Sequence, residues 1–332
     1  MNTLKIIVKD ALKLLLVIYG SFVVSLSYAE DLASYPNKPI RLIVGFAAGG
    51  ISDVLGRALA SKLSNITGQG VIVENKPGAG TTIAAEYVAK SNPDGYTLFL
   101  QDMTTHAINV GLYKSLPYDA IKDFTPITLV ASTPLMLVVN PNLKVSTLKE
   151  FIPYAKSKAD SLAYASSGNG TVPHLAAETF NKMLGINPVH VPFKGSSPAT
   201  QAVLAGDVGF TFSSMPPALS LVQSKKLIAL GVTTKKRVGA VPDVPTISEA
   251  GLPGYEFVLY SGILGPKGMS PELVKKINQL FAEVVKSPEM TQVYASIGAD
   301  PLVNSPAEFT AHMNQELVKM VQAVKTAGAH ID

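Results

Sequence analysis

Residues 45–53 have the sequence GFAAGGISD and lie between a strand-like apolar run, residues 40–44, and an amphipathic helical pattern. A strand, a glycine-rich turn and a helix together predict a βα unit whose free N–H groups at the helix N-terminus attract an anion. A Walker A loop would continue with Gly-Lys-Ser/Thr, whereas here Gly50 is followed by Ile51 and Ser52. The stretch also lacks the third glycine of a dinucleotide fingerprint and the spacing of a nucleophile elbow. It therefore predicts an anion site, but not a site for ATP or a dinucleotide.

Three further loops have the same character, because each is rich in small and hydroxyl residues and precedes a helical pattern. Arg is absent from all four loops, and Lys76 and Lys194 stand at their edges. If the loops converge, they form a site rich in N–H and O–H donors, which suits a small carboxylate held by amides, hydroxyls and bridging water. An ordinary helix cap is the alternative role for Ser52 and Asp53. The three further loops are PGAGTT (77–82), SSGNGT (166–171) and KGSS (194–197).

Strand-like and helix-like segments alternate along the chain, which predicts a parallel β-sheet covered by helices on both faces. Two long β-rich stretches, residues 124–140 and 255–266, interrupt this alternation. We therefore expect an α/β protein of two domains, joined by crossings at these stretches, with a ligand bound in the cleft between them. Domain 1 is expected to be discontinuous, residues 30–130 plus 255–332, and domain 2 to span residues 131–254.

The first 29 residues have the pattern of a secretory signal peptide. Lys5, Lys9 and Lys13 precede an apolar run, residues 14–26, and small residues occupy the −3 and −1 positions of a cleavage site after Ala29. A membrane anchor is the rival interpretation, but the apolar run is shorter than the roughly 20 residues that a span needs. We expect a protein that is exported to the periplasm.

The composition excludes several classes of function. Of the 332 residues, 16% are charged and 47% are hydrophobic, which predicts a substantial core rather than disorder. The net charge of +4, or +2 without residues 1–29, is too small to indicate binding to nucleic acid. The chain has no cysteine, which rules out disulfides, thiolate metal sites, a cysteine nucleophile and a lipidated cysteine.

The residues offer little for catalysis. No two of the five histidines stand at metal-ligand spacing, and we expect no catalytic residue, no metal and no cofactor. A serine hydrolase would need a base near a serine such as Ser52 or Ser167, and only His106 and His174 are candidates. His174 follows a glycine-rich loop, so it is either a donor to a ligand or a buried, hydrogen-bonded histidine.

The ordered motifs of the chain resemble those of the Bug family, the substrate-binding proteins of tripartite tricarboxylate transporters. The resemblance covers essentially the whole chain after residue 29. Two departures concern Gly45, where family members usually have Pro, and residues 207–209, where an acid is shifted along the chain. A third is Tyr260, in a region where many members have Trp. The matching segments are GFAAGGISD (45–53), NKPGAG (75–80), AEYVA (85–89), PDGYTL (93–98), THAIN (105–109), PHLA (173–176), VPFKG (191–195), PDVPT (242–246) and GLPGYE (251–256).

The resemblance implies a periplasmic binding protein of type II, or Venus-flytrap, architecture. Such a protein captures a di- or tricarboxylate or a related organic acid and delivers it to membrane transporter subunits. We expect a monomer, with first-domain loops holding one end of the ligand through water and a second-domain loop meeting the other end. A sensor for a membrane kinase is the alternative, and an exported serine hydrolase is a weaker one. The expected ligand-binding residues are Phe46, Ala48, Gly49, Ser52, Asp53, Gly80, Thr81, Gln101, Ser167, Gly168, Asn169, Gly170, Thr171 and His174.

Asp53 needs a separate explanation, because a carboxylate beside a carboxylate ligand is unfavourable. It can accept hydrogen bonds either from loop N–H groups or from an ammonium group of the ligand. We expect the first arrangement.

Overall fold

The computed structural model describes residues 32–158 and 161–327. The predicted signal peptide, residues 1–29, lies outside the described residues. The structure divides the chain after Asn37. The segment before this point contains a short 3-10 turn, Leu32–Ser34, and the elements below belong to the compact unit after it.

Ten strands and ten α-helices occur in the described part of that unit. The strands are β1 (Ile40–Val44), β2 (Val71–Asn75), β3 (Thr97–Asp102), β4 (Phe124–Val139), β5 (Ala163–Ser166), β6 (Val189–Pro192), β7 (Phe210–Ser214), β8 (Ile228–Val232), β9 (Val258–Pro266) and β10 (Asp300–Pro301). The helices are α1 (Ile51–Thr67), α2 (Thr82–Ala89), α3 (Met103–Leu112), α4 (Leu148–Ser157), α5 (Val172–Leu184), α6 (Ser196–Ala205), α7 (Met215–Gln223), α8 (Pro271–Val285), α9 (Pro288–Ser296) and α10 (Pro306–Ala327).

The strands form one mixed sheet in the order β2-β1-β3-β9-β4-β7-β5-β6, with β8 and β10 also paired to β4. β1 pairs in parallel with β2 and β3, and β5 pairs in parallel with β6 and β7, as the alternating pattern predicted. β4 and β9 are antiparallel to each other and to their neighbours. The sheet is mixed rather than wholly parallel because the two long β-rich stretches of the sequence pair with each other.

β4 takes part in two groups of strands. Residues 124–134 pair with β9, and residues 135–139 pair with β7 and β8. We call β1–β3, β9, residues 124–134 and their helices the first half of the protein. The second half comprises residues 135–139, β5–β8 and their helices.

Each half has its own hydrophobic core. The first core includes Ile43, Phe99 and Leu264, and the second includes Met136 and Val203. The long C-terminal helix α10 packs against α3 and adds phenylalanine and methionine side chains to the first core. β4 is buried along most of its length, because helices or strands cover it in both halves.

Some elements differ from the sequence predictions at their ends. α1 begins at Ile51, two residues before the predicted start at Asp53. α3 is a helix of 10 residues that the Asp102 side chain caps. It begins at Met103, before the segment of about residues 106–113 that the sequence pattern places after β3. In the C-terminal tail, helical patterns predict two helices, residues 271–287 and 305–327, and α9 lies between them as a further helix. Pro288 begins this helix, since proline fits the first turn but not a helix interior.

Candidate functional site

The four predicted loops meet where the two halves face each other; we call this region the cleft. The N–H of Ala47 donates to the carbonyl oxygen of Lys194 over 2.9 Å. A Cβ on Gly49 would lie 3.2 Å from the hydroxyl of Ser197, and Gly80 packs against the carbonyl of Asn169. Loops 45–53 and 77–82 of the first half therefore contact loops 194–197 and 166–171 of the second half.

Besides α2, whose N-cap Thr81 makes no side-chain capping bond, four helices begin at this cleft without a capping side chain among the described residues. Their N-cap residues are Gly50 for α1, Thr171 for α5, Gly195 for α6 and Ser214 for α7. α4, by contrast, is capped by the Thr147 hydroxyl, as helices commonly are. The uncapped first turns leave backbone donors and the positive ends of helix dipoles facing the cleft.

A small cavity of about 20 Å³ lies among these helix N-termini, and we call it the inner cavity. A cavity of this size holds about one water molecule. The hydroxyl of Ser214 is buried and has no hydrogen-bond partner among the described residues. A buried hydroxyl without a hydrogen-bond partner destabilises the folded protein unless a ligand or a water molecule bonds to it. The inner cavity is lined by Phe46, Gly50, Ile51, Ser52, Asp102, Ser167, Pro173, Ser196, Ser214 and Leu259.

A larger cavity of about 400 Å³ lies next to it, and we call it the outer cavity. Phe46 and Ser167 line both cavities, so the two adjoin at these residues. Lys194 is the one lysine, arginine, aspartate or glutamate among the described residues that line the outer cavity. The outer cavity is lined by Gly45, Phe46, Gly78, Ala79, Gly80, Thr81, Tyr113, Ser167, Gly168, Asn169, Pro192, Phe193 and Lys194.

Asp53 lies in the first turn of α1 and is buried. Its carboxylate accepts from the N–H of Gly49 over 3.0 Å, so the expectation that Asp53 accepts from a loop N–H is confirmed. Arg57 lies 2.9 Å from the other oxygen. Burial raises the pKa of Asp53, but the hydrogen bonds from Arg57 and Gly49 outweigh it, and the pKa is lowered overall. Arg57 is not among the residues predicted from the sequence, although its spacing of four residues from Asp53 is the usual spacing of a helical ion pair.

Asp102 ends β3 and caps α3 at the inner cavity. Its side chain accepts from the N–H groups of Thr104 and Thr105, over 3.0 and 3.2 Å, and from the hydroxyl of Thr105. Burial raises the pKa of Asp102 to about 7, against the effect of these hydrogen bonds. The hydroxyl of Thr105 also accepts from the N–H of Val172 in the second half, over 3.3 Å.

Gly80 and Thr81 have left-handed backbone conformations, with φ of +58° and +76°. The side-chain amide of Gln101 donates to the Thr81 hydroxyl over 2.8 Å, and Asn109 donates to the Gly80 carbonyl over 2.7 Å. Gln101 is fully buried and lines neither cavity, so it orients Thr81. A Cβ on Gly45 would lie 2.7 Å from the Cβ of Thr81. Glycine at position 45, in place of the usual proline, therefore allows these two loops to pack closely.

The structure does not bring His174 or Ala48 to the described lining of either cavity. His174 Nδ1 accepts from the N–H of Gly170 over 3.2 Å, and its ring stacks on His190 with centroids 4.1 Å apart. Burial lowers the pKa of both histidines, to about 3 for His190. His174 is half-buried and hydrogen-bonded within its own loop, and Ala48 is exposed.

The contacts of serine and histidine give no support to a hydrolase. Ser166 and His190 form a close pair, with Oγ and Nε2 2.6 Å apart. Ser166 is fully buried, and the low pKa of His190 makes it a weak base at neutral pH. The hydroxyl of Ser167 instead lies 3.1 Å from that of Ser196. The described residues also contain no group of three His, Asp or Glu that could hold a metal ion.

A third depression, of about 730 Å³, opens on the surface of the first half and involves none of the four loops. Its cations have acidic partners close by, as in the pairs of Arg41 with Glu74 and of Lys90 with Glu86. This pairing makes it a poorer anion site than the cleft. In the described part of the chain, no helix combines the length and the apolar character required to traverse a bilayer.

The chain matches the family described as tripartite tricarboxylate transporter family receptor over residues 55–328. Protein BugT of Bordetella pertussis (strain Tohama I) is 33% identical over 320 residues, which cover 96% of this chain and 98% of BugT. The structure of R. palustris Rpa4515 with adipate has a TM-score of 0.86 and 35% identity, covering 90% of this chain and 100% of that one. MatC (Rpa3494) from Rhodopseudomonas palustris, with bound malate, has a TM-score of 0.82 and 31% identity, covering 87% and 100%.

These similarities confirm the predicted α/β fold of a two-domain periplasmic binding protein. They also confirm the resemblance that the sequence motifs indicated. Because the family match spans most of the chain and the relatives exceed 30% identity over nearly their whole length, this chain belongs to the family of tripartite tricarboxylate transporter receptors.

Proposed function

We propose that this protein is a periplasmic solute-binding protein that captures a small carboxylate and delivers it to a tripartite tricarboxylate-type membrane transporter. The observation that carries this proposal is the inner cavity, where four uncapped helix N-termini and the unpartnered hydroxyl of Ser214 leave hydrogen-bond donors available. Relatives solved with adipate and with malate support a carboxylate as the ligand class.

The acids at the site are compatible with an anionic ligand. Arg57 balances the charge of Asp53. The oxygens of Asp102 accept three hydrogen bonds from groups of Thr104 and Thr105. A ligand carboxylate would therefore meet backbone N–H groups and hydroxyls rather than unbalanced negative charge.

The binding residues remain a proposal. Phe46, Ser52 and Ser167 are the predicted residues that line the inner cavity, and Ser196 and Ser214 join them. Gly80, Thr81, Gly168 and Asn169 line the outer cavity. Gly49, Asp53, Gln101, Gly170 and Thr171 act by shaping or orienting these loops.

Binding requires the cleft to open, because about 20 Å³ does not admit a carboxylate with its carbon chain. We propose that domain 1 comprises residues 30–130 and 255–332, that domain 2 comprises residues 131–254, and that β4 and the start of β9 act as the hinge. The N–H of Phe257 donates to the carbonyl of Thr233 just before β9, which ties the second crossing to the second half.

The test is a thermal-shift screen of the purified protein against C4–C8 dicarboxylates, tricarboxylates, amino acids and aromatic acids. We expect at least one carboxylate to raise the melting temperature, since a ligand that binds only the folded state stabilises it. Stabilisation by a ligand of another class, with none by any carboxylate, would overturn the proposal.

The cellular part of the proposal needs separate measurements. Sequencing the N-terminus of the exported protein should show cleavage after Ala29, and light scattering should show a monomer. Pull-down from detergent-solubilised membranes should recover transporter subunits when ligand is present. Recovery of a membrane kinase instead would assign the protein to sensing.

A further inference from the structure

The segment THAIN, residues 105–109, lies in α3 and contributes no residue to the proposed binding site. Thr105 and Asn109 are four residues apart, so their side chains lie on the same side of the helix, which we call the α3 face. His106 fixes α3 within the first half, because its Nε2 donates to the carbonyl of Ala120 over 2.9 Å. The α3 face contacts the second half at two points.

The first point is a hydrogen bond between Thr105 and Val172. The Thr105 hydroxyl donates its single proton to Asp102, so only its lone pairs remain for a second partner. The N–H of Val172, the first residue of α5, donates to this oxygen over 3.3 Å, and both residues are fully buried. Thr105 thus joins an acid that lines the inner cavity to a helix of the second half.

The second half offers the Val172 N–H no acceptor of its own. The N-cap residue Thr171 makes no capping bond, because its hydroxyl donates to the carbonyl of Gly168 instead. Thr105 and Val172 belong to different halves, so their bond forms only while the cleft is closed. When the cleft opens, water has to replace Thr105, since a buried N–H without an acceptor destabilises the protein.

The second point is the close approach of Gly170 to Asn109. A Cβ added to Gly170 would lie 2.8 Å from Oδ1 of Asn109 and 2.5 Å from a methyl carbon of Leu112. Gly170 also has φ of +74°, a conformation that favours glycine. A side chain at position 170 would therefore hold the loop of residues 166–171 away from the α3 face.

We propose that Thr105 is a positioning residue that couples closure of the cleft to the inner cavity. In the closed protein its hydroxyl connects Asp102 to Val172, while Gly170 lets the facing loop reach α3. This contact favours the closed conformation, so it raises the apparent affinity for a ligand that the closed cleft encloses. The inference rests on the proposed function, because it assumes a cleft that opens and closes around a ligand.

Pulsed electron paramagnetic resonance between two spin labels measures the closed fraction. The chain has no cysteine, so Ser61→Cys with Gln201→Cys places labels at these two points alone. Both residues are exposed, and they lie on α1 and α6, which begin in loops of opposite halves at the cleft. Their separation should therefore increase when the cleft opens.

Thr105→Val keeps the shape of the side chain and removes the hydroxyl. We expect the ratio of closed to open molecules to fall about fivefold, as for the loss of one hydrogen bond. Titration calorimetry with adipate and malate as probes should show a similar loss of affinity for whichever acid binds. Thr105→Ser keeps the hydroxyl and should resemble the wild-type protein, whereas Gly170→Ala should open the cleft from the opposite side.

Thr211→Val and Gly185→Ala are the matched controls. The buried Thr211 hydroxyl donates to the Ala165 carbonyl within the second half, and a Cβ on Gly185 would meet no atom of the described residues within 4 Å. Both controls should alter the melting temperature without changing the label distances or the affinity.

Wild-type distances in both Thr105→Val and Gly170→Ala, or an equal change in Thr211→Val, would overturn the inference. If neither acid binds the wild-type protein, the choice of probe or the proposed function is at fault. The distances in the ligand-free proteins then decide the inference by themselves.

Discussion

The backbone N–H of Ala47 donates to the carbonyl oxygen of Lys194 over 2.9 Å, and this bond joins the two halves across the cleft. Because both groups belong to the backbone, the contact does not depend on the side chain at either position. It sets the loop after β1 directly against the loop after β6. A substitution of the Lys194 side chain should therefore leave this contact between the halves in place.

Gly49 is expected to be essential for binding. Its φ of +84° disfavours any residue with a Cβ, and that Cβ would lie 3.2 Å from the Ser197 hydroxyl in the other half. We expect Gly49→Val to weaken ligand binding at least tenfold by titration calorimetry, because the cleft no longer closes fully. The fold should persist, with a cost of about 1–3 kcal/mol in the free energy of unfolding.

Gly68→Val is the matched control, since Gly68 has φ of +71° and a Cβ added there would meet no atom of the described residues within 4 Å. It should show a similar loss of stability but normal binding. Equal binding by the Gly49 and Gly68 variants would rule out a role of Gly49 at the cleft.

Ser214 should contribute to binding and not to stability. Its buried hydroxyl lacks a partner among the described residues, so Ser214→Ala removes an unsatisfied group and should leave the melting temperature unchanged or higher. Affinity for the ligand should fall about tenfold. Ser213→Ala provides the contrast, because that hydroxyl pairs with Thr200 and donates to the Ser214 carbonyl. Ser213→Ala should therefore lower the melting temperature. A lower melting temperature for Ser214→Ala than for Ser213→Ala would contradict this assignment.

Arg57 is expected to affect ligand affinity through its ion pair with Asp53. In Arg57→Met the Asp53 carboxylate stays beside the inner cavity without its counter-ion, so an anionic ligand should bind roughly five- to tenfold more weakly. The pKa of Asp53 should also rise, so that part of the affinity returns as the pH is lowered towards 5. Arg237→Met, which breaks the exposed pair with Glu249, should have no effect on affinity. A loss in Arg57→Met that is independent of pH would disprove this explanation.

Acid should destabilise the folded protein through buried histidines. Burial lowers the pKa of His106 to about 4 and that of His190 to about 3, whereas unfolded histidine titrates near 6.5. Between these values the unfolded chain binds more protons, so the free energy of unfolding falls as pH falls below 6.5. Asp102 has the opposite effect on the free energy of unfolding, because its pKa is raised to about 7. It is a single group, whereas the pKa values of His106, His174 and His190 are all lowered.

Urea denaturation between pH 7.5 and 4.5 measures the slope of the free energy of unfolding against pH. His190→Gln should flatten it by at most about 1.4 kcal/mol per pH unit, the value for one proton. An unchanged slope in His190→Gln would mean that this histidine does not titrate as the structure indicates.

The local features of the fold could be predicted from the sequence. Apolar runs bounded by glycine and proline predicted most strands, and residues 40–44 form β1 as expected. The four loops were recognised because the small residues that precede a helix are a local signal. The antiparallel pairing of β4 with β9 was not predicted, since it joins residues about 130 positions apart and leaves no periodic pattern.

Some site residues could be predicted from local sequence signals, whereas others depend on the pairing of distant strands. Arg57 could have been found from its spacing to Asp53, a local helical signal. Asp102 and Ser214 could not, because each ends a strand whose position at the cavity depends on pairing with β9 or β4. His174 contacts the N–H of Gly170 and the ring of His190, and its expected contact with a ligand stays a prediction.

β4 also determines how the protein unfolds. Residues 124–134 complete the strands of one half and residues 135–139 those of the other, so separating the halves would leave buried backbone groups unpaired on both sides. Neither half is therefore an independent folding unit, and calorimetry should record a single cooperative transition. During the proposed opening, β4 should therefore stay paired with the strands of both halves.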